Sequence, residues 1–311
     1  MKNKTFYPLL AAVVLASAIT FVFLSRSMAT TPKESAVTSA PQSKTAPTPA
    51  VTAPTAPVAP PTVVVRPEFV DSLRENFPVG LCCNAPLGRC AIEKPNCSAA
   101  PRLMSFLQWM DSTKQIPEER IAEMLDSRHT TLTDKTRYTS DLKGWPVIGD
   151  PRAPFTVVMY YSGTCPLCKT NFTDLHMVLT TGRLRGKVNI VAKPFGAAPV
   201  NRALVAAHEM GRFSDFMIEL GKIKGRIEEQ HVMGIADGMY LDRQRFQELM
   251  ESKEVEKRIE EATEEGRRNG VTHIPTYFMG GRRYNSSLFP RWIVDAIEFL
   301  METDPAAGSK K

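Results

Sequence analysis

Cys165 and Cys168 are the residues of this 311-residue chain whose types and spacing most clearly point to chemistry. They stand in the run Tyr161-Ser-Gly-Thr-Cys-Pro-Leu-Cys-Lys169. A β-favouring stretch ends at Gly163, and the residues after Cys165 can be helical, which places Cys165 at a helix N-terminus. There, unpaired N–H groups and the positive end of the helix dipole stabilise a thiolate, drawing a cysteine pKa from about 8.5 towards about 3.5–7.5. Cys168 follows one helical turn later, close enough to attack a mixed disulfide formed at Cys165. That is the chemistry of a dithiol/disulfide exchange centre. Two other readings exist for a C-x-x-C pair, half a zinc site and a structural disulfide. Zinc would need two further ligands, and His176 and His208, the nearest histidines downstream, do not have ligand-pair spacing.

Other elements must position these sulfurs. The stretch 271–284 reads as a loop entering a strand at Pro275, a Gly280-Gly281 turn that tolerates positive φ, and a returning strand. A period-2 strand is expected near residues 187–192. From about Asn201 to Asn269 the pattern is helical: Ala203, Leu204, Ala207 and Met210, then Phe213, Phe216, Met217 and Leu220, then Phe246, Leu249 and Met250. The charges of residues 251–268 suggest a solvated helix face.

With these motifs the chain resembles the thioredoxin superfamily, and within it the DsbA-like thiol:disulfide oxidoreductases. The lead-in 144–158, the stretch 241–246 and a final helix around 289–301 carry the same likeness, which covers about residues 144–303. It implies an α/β architecture: a thioredoxin fold with an inserted helical subdomain, here preceded by a small cysteine-containing helical module. It further implies a cis Ile274-Pro275 pair lying against the C-x-x-C helix, so that Ile274 and Pro275 shape a substrate groove. Two departures stand out. Family members often carry a buried carboxylate six residues before the first cysteine, where this chain has Met159, and Pro-Leu lies between the cysteines without a histidine. Both imply a less oxidising centre than the strongest members of the family.

The beginning of the chain bears on location. Lys2 and Lys4 precede residues 6–24, which are 19 residues without charge, and Arg26 follows. A helix of that length spans about 28 Å, close to a bilayer core. Residues 1–29 are therefore a retained anchor or a signal peptide cleaved after Ser27-Met28-Ala29. The uncharged run exceeds the usual 7–15 residues of a signal peptide, and residues 30–66, with eight prolines between Pro32 and Pro61, form an extended linker able to reach about 115 Å. Such a spacer suits a tethered domain. The expected location is the periplasmic side of the inner membrane, anchored by residues 6–24, or the soluble periplasm after cleavage. The net charge of +6 is spread along the chain, without the basic, aromatic-interleaved stripe of a nucleic-acid binder.

Residues 67–142 form the small module, with short helices expected at 69–73 and 100–109 and a capped amphipathic one at 117–125. Its stretch 97–128 faintly resembles the helical thiol modules of cytochrome c maturation, without their paired cysteine motif. Cys82, Cys83, Cys90 and Cys97 admit three uses: two structural disulfides, a metal site, or a relay exchanging electrons with Cys165 and Cys168. Neighbouring cysteines rarely bond each other, so Cys82 and Cys83 should have different partners. Residues 143–305 form the main domain and 306–311 a tail. Within it, His176 is expected to pack or to lie at the surface, His273 to face solvent from its loop or else the sulfurs, and Lys193 to snorkel from a strand edge or to polarise the dithiol.

The resulting expectation is an exported protein thiol:disulfide oxidoreductase. It needs no cofactor or metal and acts through Cys165 and Cys168 on exported proteins that contain cysteines, alongside a membrane or periplasmic redox partner. Oxidation is the first direction, with reduction or isomerisation next. A metal-binding or chaperone module is the reading from another class.

Overall fold

The computed structural model describes residues 66–94, 96–113, 116–284 and 289–304. The expected anchor at 6–24, nearly all of the linker and the tail lie outside the described residues. No helix among the described residues is long and apolar enough to cross a membrane. All of them fall in one compact unit, Pro61–Lys311.

Five strands, β1 (Val147–Gly149), β2 (Phe155–Tyr161), β3 (Val188–Pro194), β4 (Thr276–Met279) and β5 (Arg282–Tyr284), form one sheet in the order β1-β3-β2-β4-β5. The β2–β3 pair is parallel and the other three pairs are antiparallel. The parallel pair is connected through α5 (Pro166–Thr180), as a parallel crossover requires. Between β3 and β4 the chain inserts α6 (Pro199–Glu209), α7 (Phe213–Lys222), α8 (Glu229–Gly238), α9 (Arg243–Glu251) and α10 (Lys253–Arg268), and it closes with α11 (Pro290–Thr303). The fold is thus the expected α/β one, a thioredoxin sheet with a helical insertion. Gly280 and Gly281, at φ of 56° and 82°, make the tight β4–β5 turn.

The period-2 expectation for β3 is corrected. All seven of its residues are buried, Asn189 and Lys193 included, because helices cover both faces of the central sheet. Val157, Met159 and Tyr161 of β2 join the core that contains Phe172 of α5 and Ile297 of α11. Val191 of β3 instead meets Val205 of α6 and Ile259 of α10 on the other face.

Four helices precede the sheet: α1 (Arg66–Asn76), α2 (Leu87–Glu93), α3 (Ala99–Thr113) and α4 (Glu118–Thr133). Three are longer than their sequence pattern suggested, and α2 had no helical signal. The cap expected at the start of α4 is absent, since Pro117 stands at that position and offers no side-chain acceptor. Leu87, Leu103, Phe106 and Leu125 of these helices belong to the same buried cluster as the sheet core. Arg128, with no exposed surface, anchors the junction. Its guanidinium lies 4.9 Å from the Phe106 ring and 5.3 Å from that of Trp292, donates to the Tyr284 hydroxyl and the Trp292 carbonyl at 3.1 and 3.0 Å, and pairs with Asp295.

Candidate active site

Cys165 is the N-cap residue of α5, with Pro166 at the first helical position, where its missing N–H costs nothing. The turn before it is fixed by packing and by a hydrogen bond. Gly163 donates its N–H to Asn201 Oδ1 at 2.9 Å, and a Cβ there would come within 2.8 Å of Val200. Only glycine allows α6 to approach so closely.

The Cys165 sulfur, half-buried, accepts the Cys168 N–H at 3.2 Å and lies 3.7 Å from the Ile274 carbonyl oxygen. The Ile274-Pro275 bond is cis, as the family resemblance implied, and Pro275 is buried. Proline offers no N–H, so the strand entering here presents a carbonyl to the sulfur. The side-chain hydrogen bond with Cys168 is the largest influence on Cys165. Together with the backbone N–H groups of Cys168 and Leu167 and the charge of Lys169, it brings the Cys165 pKa down to about 7 against the opposing effect of burial. Cys168 has no exposed surface. Burial, reinforced by its neighbour's sulfur, pushes its thiol pKa far up. One accessible sulfur poised as thiolate and one occluded sulfur held as thiol is the asymmetry that sequential exchange needs.

Residues that sequence reasoning did not single out complete the surroundings. Lys169 is buried, and its Nζ donates to the Ile223 carbonyl at 3.2 Å, which ties the start of α5 to the insertion. Asn171 Nδ2 donates to the Tyr277 hydroxyl at 3.3 Å, and Tyr161 is buried on the α5 side of β2. The available signal was strand alternation, which places Met159 and Tyr161 together on one face. Met159 pairs with Tyr277 across β2 and β4, so the position that the resemblance marked for a carboxylate carries a buried thioether.

Lys193 is neither a snorkelling edge residue nor a partner of the dithiol. Its ammonium donates to Glu265 Oε1 at 2.6 Å and to the Asp141 carbonyl at 2.7 Å and lies 5.4 Å from the Trp145 ring, on the α10 side of the sheet. Glu265 is correspondingly withdrawn from the solvated face expected for α10, and it also accepts the Tyr160 hydroxyl. His176 stacks on Phe172 at 6.0 Å, and His273 is exposed. Cys82 bonds Cys97 and Cys83 bonds Cys90, so the adjacent cysteines do have different partners. Next to the exchange pair, a cleft of about 920 Å³ runs between Thr164 and the insertion, floored by Val200, Val232, Met233 and Met250.

A family model described as thioredoxin (Thioredoxin_4) matches residues 141–298, half of the chain. The curated Na(+)/H(+) antiporter NhaA 1 of Salinispora arenicola (strain CNS-205) is 28% identical over 156 residues, 45% of this chain. The chain spans only 22% of that antiporter's length. Among solved structures, a thioredoxin-like oxidoreductase from Silicibacter pomeroyi DSS-3 is similar at 22% identity and a TM-score of 0.46, covering 57% of this chain and 98% of that one. The thiol-disulfide exchange protein alpha-DsbA2 from Wolbachia pipientis matches at 15% identity and a TM-score of 0.45, covering 57% and 94%. Oxidised BdbD from Bacillus subtilis matches at 19% identity and a TM-score of 0.46, covering 55% and 100%.

Proposed function

The chain belongs to the thioredoxin family, and from that premise we propose that it is an exported thiol:disulfide oxidoreductase that oxidises cysteine pairs in other exported proteins. The observation that carries the reading is the unequal pair at the start of α5, an accessible Cys165 sulfur held by backbone donors in front of an occluded Cys168. A substrate thiolate attacks the Cys165 sulfur of the oxidised enzyme, and Cys168 leaves. A second substrate thiolate then attacks its partner sulfur in the mixed disulfide, which releases the oxidised substrate and the reduced enzyme. Ile274 and Pro275 border the sulfur on the side where a substrate strand would lie. The cleft beside Thr164 gives the flanking peptide an apolar, methionine-containing floor that suits varied sequences.

Residues 6–24 and the proline-rich linker would tether the domain on the periplasmic side of the membrane, and Cys82–Cys97 and Cys83–Cys90 would be structural staples. Direction is tested by the redox potential of the Cys165/Cys168 pair, titrated against glutathione. An oxidant lacking the family carboxylate should lie above thioredoxin's potential of about −270 mV and below the roughly −120 mV of the strongest relatives. A value at or below that of thioredoxin would make the protein a reductase.

A further inference from the structure

The exchange places negative charge on a sulfur that the fold buries. In the closing step, the Cys168 thiol gives its proton to water and its thiolate attacks the Cys165 sulfur. The Cys165–Cys168 bond forms as the bond to the substrate sulfur breaks, and that sulfur leaves with the electron pair and is protonated. In the opposite direction Cys168 departs as thiolate. Both directions therefore pass through a charged Cys168 sulfur that has no exposed surface. No carboxylate stands at position 159 to take part, since that residue is a buried methionine.

Tyr161 is 1% exposed, and its hydroxyl has no hydrogen-bond partner among the described residues. A buried polar group left in that state weakens folding and calls for an explanation. Its place, in the same buried cluster as Cys168, points to one. Tyr161 ends β2 four residues before Cys165, on the face that α5 covers. Its ring meets that of Phe213 at 5.7 Å, and Phe213 in turn meets Phe172, one helical turn beyond Cys168, at 5.7 Å. The Tyr277 hydroxyl, on the neighbouring strand, is already engaged by Asn171.

We propose that the Tyr161 hydroxyl is the donor that stabilises the Cys168 sulfur while it carries charge, whichever way the exchange runs. The inference rests on the reading of Cys165 and Cys168 as the exchange pair. Burial, and then the proximity of Cys168, push the phenol pKa up, so Tyr161 keeps its proton and acts by donating a hydrogen bond.

The test is Tyr161→Phe in the full chain, reduced and mixed with the aromatic disulfide 5,5′-dithiobis(2-nitrobenzoate) in a stopped-flow instrument. The first release of thionitrobenzoate reports attack by Cys165, and the second reports closure by Cys168. The variant should leave the first phase unchanged and slow the second roughly tenfold or more, the effect of one hydrogen bond to a charged group. Its melting temperature should stay equal or rise, because the hydroxyl removed has no resting partner. A second phase within about twofold of the wild type would overturn the proposal. So would a joint loss of both phases and of melting temperature, which would mark the hydroxyl as structural. Absence of a second phase in the wild type would instead refute the exchange pair itself.

Discussion

The Cys165 sulfur gains acidity from groups that the next residues of its own helix provide. The helix N-terminus and the C-x-x-C spacing were legible in the sequence because both are local. Tyr161, Lys169 and Asn171 were not, because their burial depends on where the insertion and β4 pack. With a pKa brought down to about 7, Cys165 should react with iodoacetamide half-maximally near pH 7, against about 8.5 for an unstructured cysteine. The folded pKa lies below the unfolded one, so the thiolate's stabilising contribution is fully present above about pH 8.5 and is lost as pH falls through about 7. The reduced protein should therefore gain stability between these values relative to Cys165→Ser, as urea melts at a series of pH values would measure. The order of attack is checked separately. Cys168→Ser should accumulate mixed disulfides on non-reducing gels and Cys165→Ser should not; equal trapping by both would contradict the assigned order.

At the scale of single elements, the insertion is bound to the sheet by one buried ion pair that the sequence concealed. The charged run of α10 reads as a solvent face, and most of it is one, but Glu265 turns inward to Lys193, whose side chain is 2% exposed against 15% for Glu265. The helical period gave no warning, since the partner lies 72 residues earlier on a strand read as half-exposed. Replacing Glu265 with alanine leaves a buried ammonium supported only by the Asp141 carbonyl and the Trp145 ring, which should cost roughly 3 kcal/mol in urea unfolding. The pair Lys193→Met with Glu265→Leu should recover most of that loss, because apolar residues of similar volume often replace a buried ion pair at little cost. The half-reaction pH of Cys165 should not move in either variant, because the ion pair lies on the α10 side of the sheet. A shift would revive the reading of Lys193 as a group acting on the dithiol.

Considered as a whole, the described molecule is one body in which α3 and α4 of the cysteine-containing module cover α11 and the edge strand β5 of the sheet. Their hydrophobic pattern was visible in the sequence, but their attachment was not, because it depends on Arg128, which shares the apolar face of α4 with Ile121, Met124 and Leu125 but is of a residue type usually left in solvent. Arg128 is held between two aromatic rings and three acceptors, while Arg102 reaches the same Asp295 at 2.6 Å and Glu302 at 2.9 Å. Arg128→Ala should lower stability by about 3 kcal/mol, at the low end for a broken buried pair because Arg102 still pairs with Asp295. In an otherwise wild-type chain, thermal unfolding followed by the fluorescence of Trp109 and Trp292 at the junction, with Trp145 on the α10 side replaced by phenylalanine, should coincide with unfolding followed by circular dichroism. In Arg128→Ala the fluorescence transition should come first, because the cysteine-containing helices release α11 before the sheet opens. Coincident transitions in the variant would mean that the shared apolar core, and not the arginine, joins the two parts. A chain beginning at residue 134 tests the same dependence more severely. It would uncover Trp292, Tyr284 and Phe299, all buried in the intact protein, and should aggregate or melt well below the full chain even with Cys165 and Cys168 untouched.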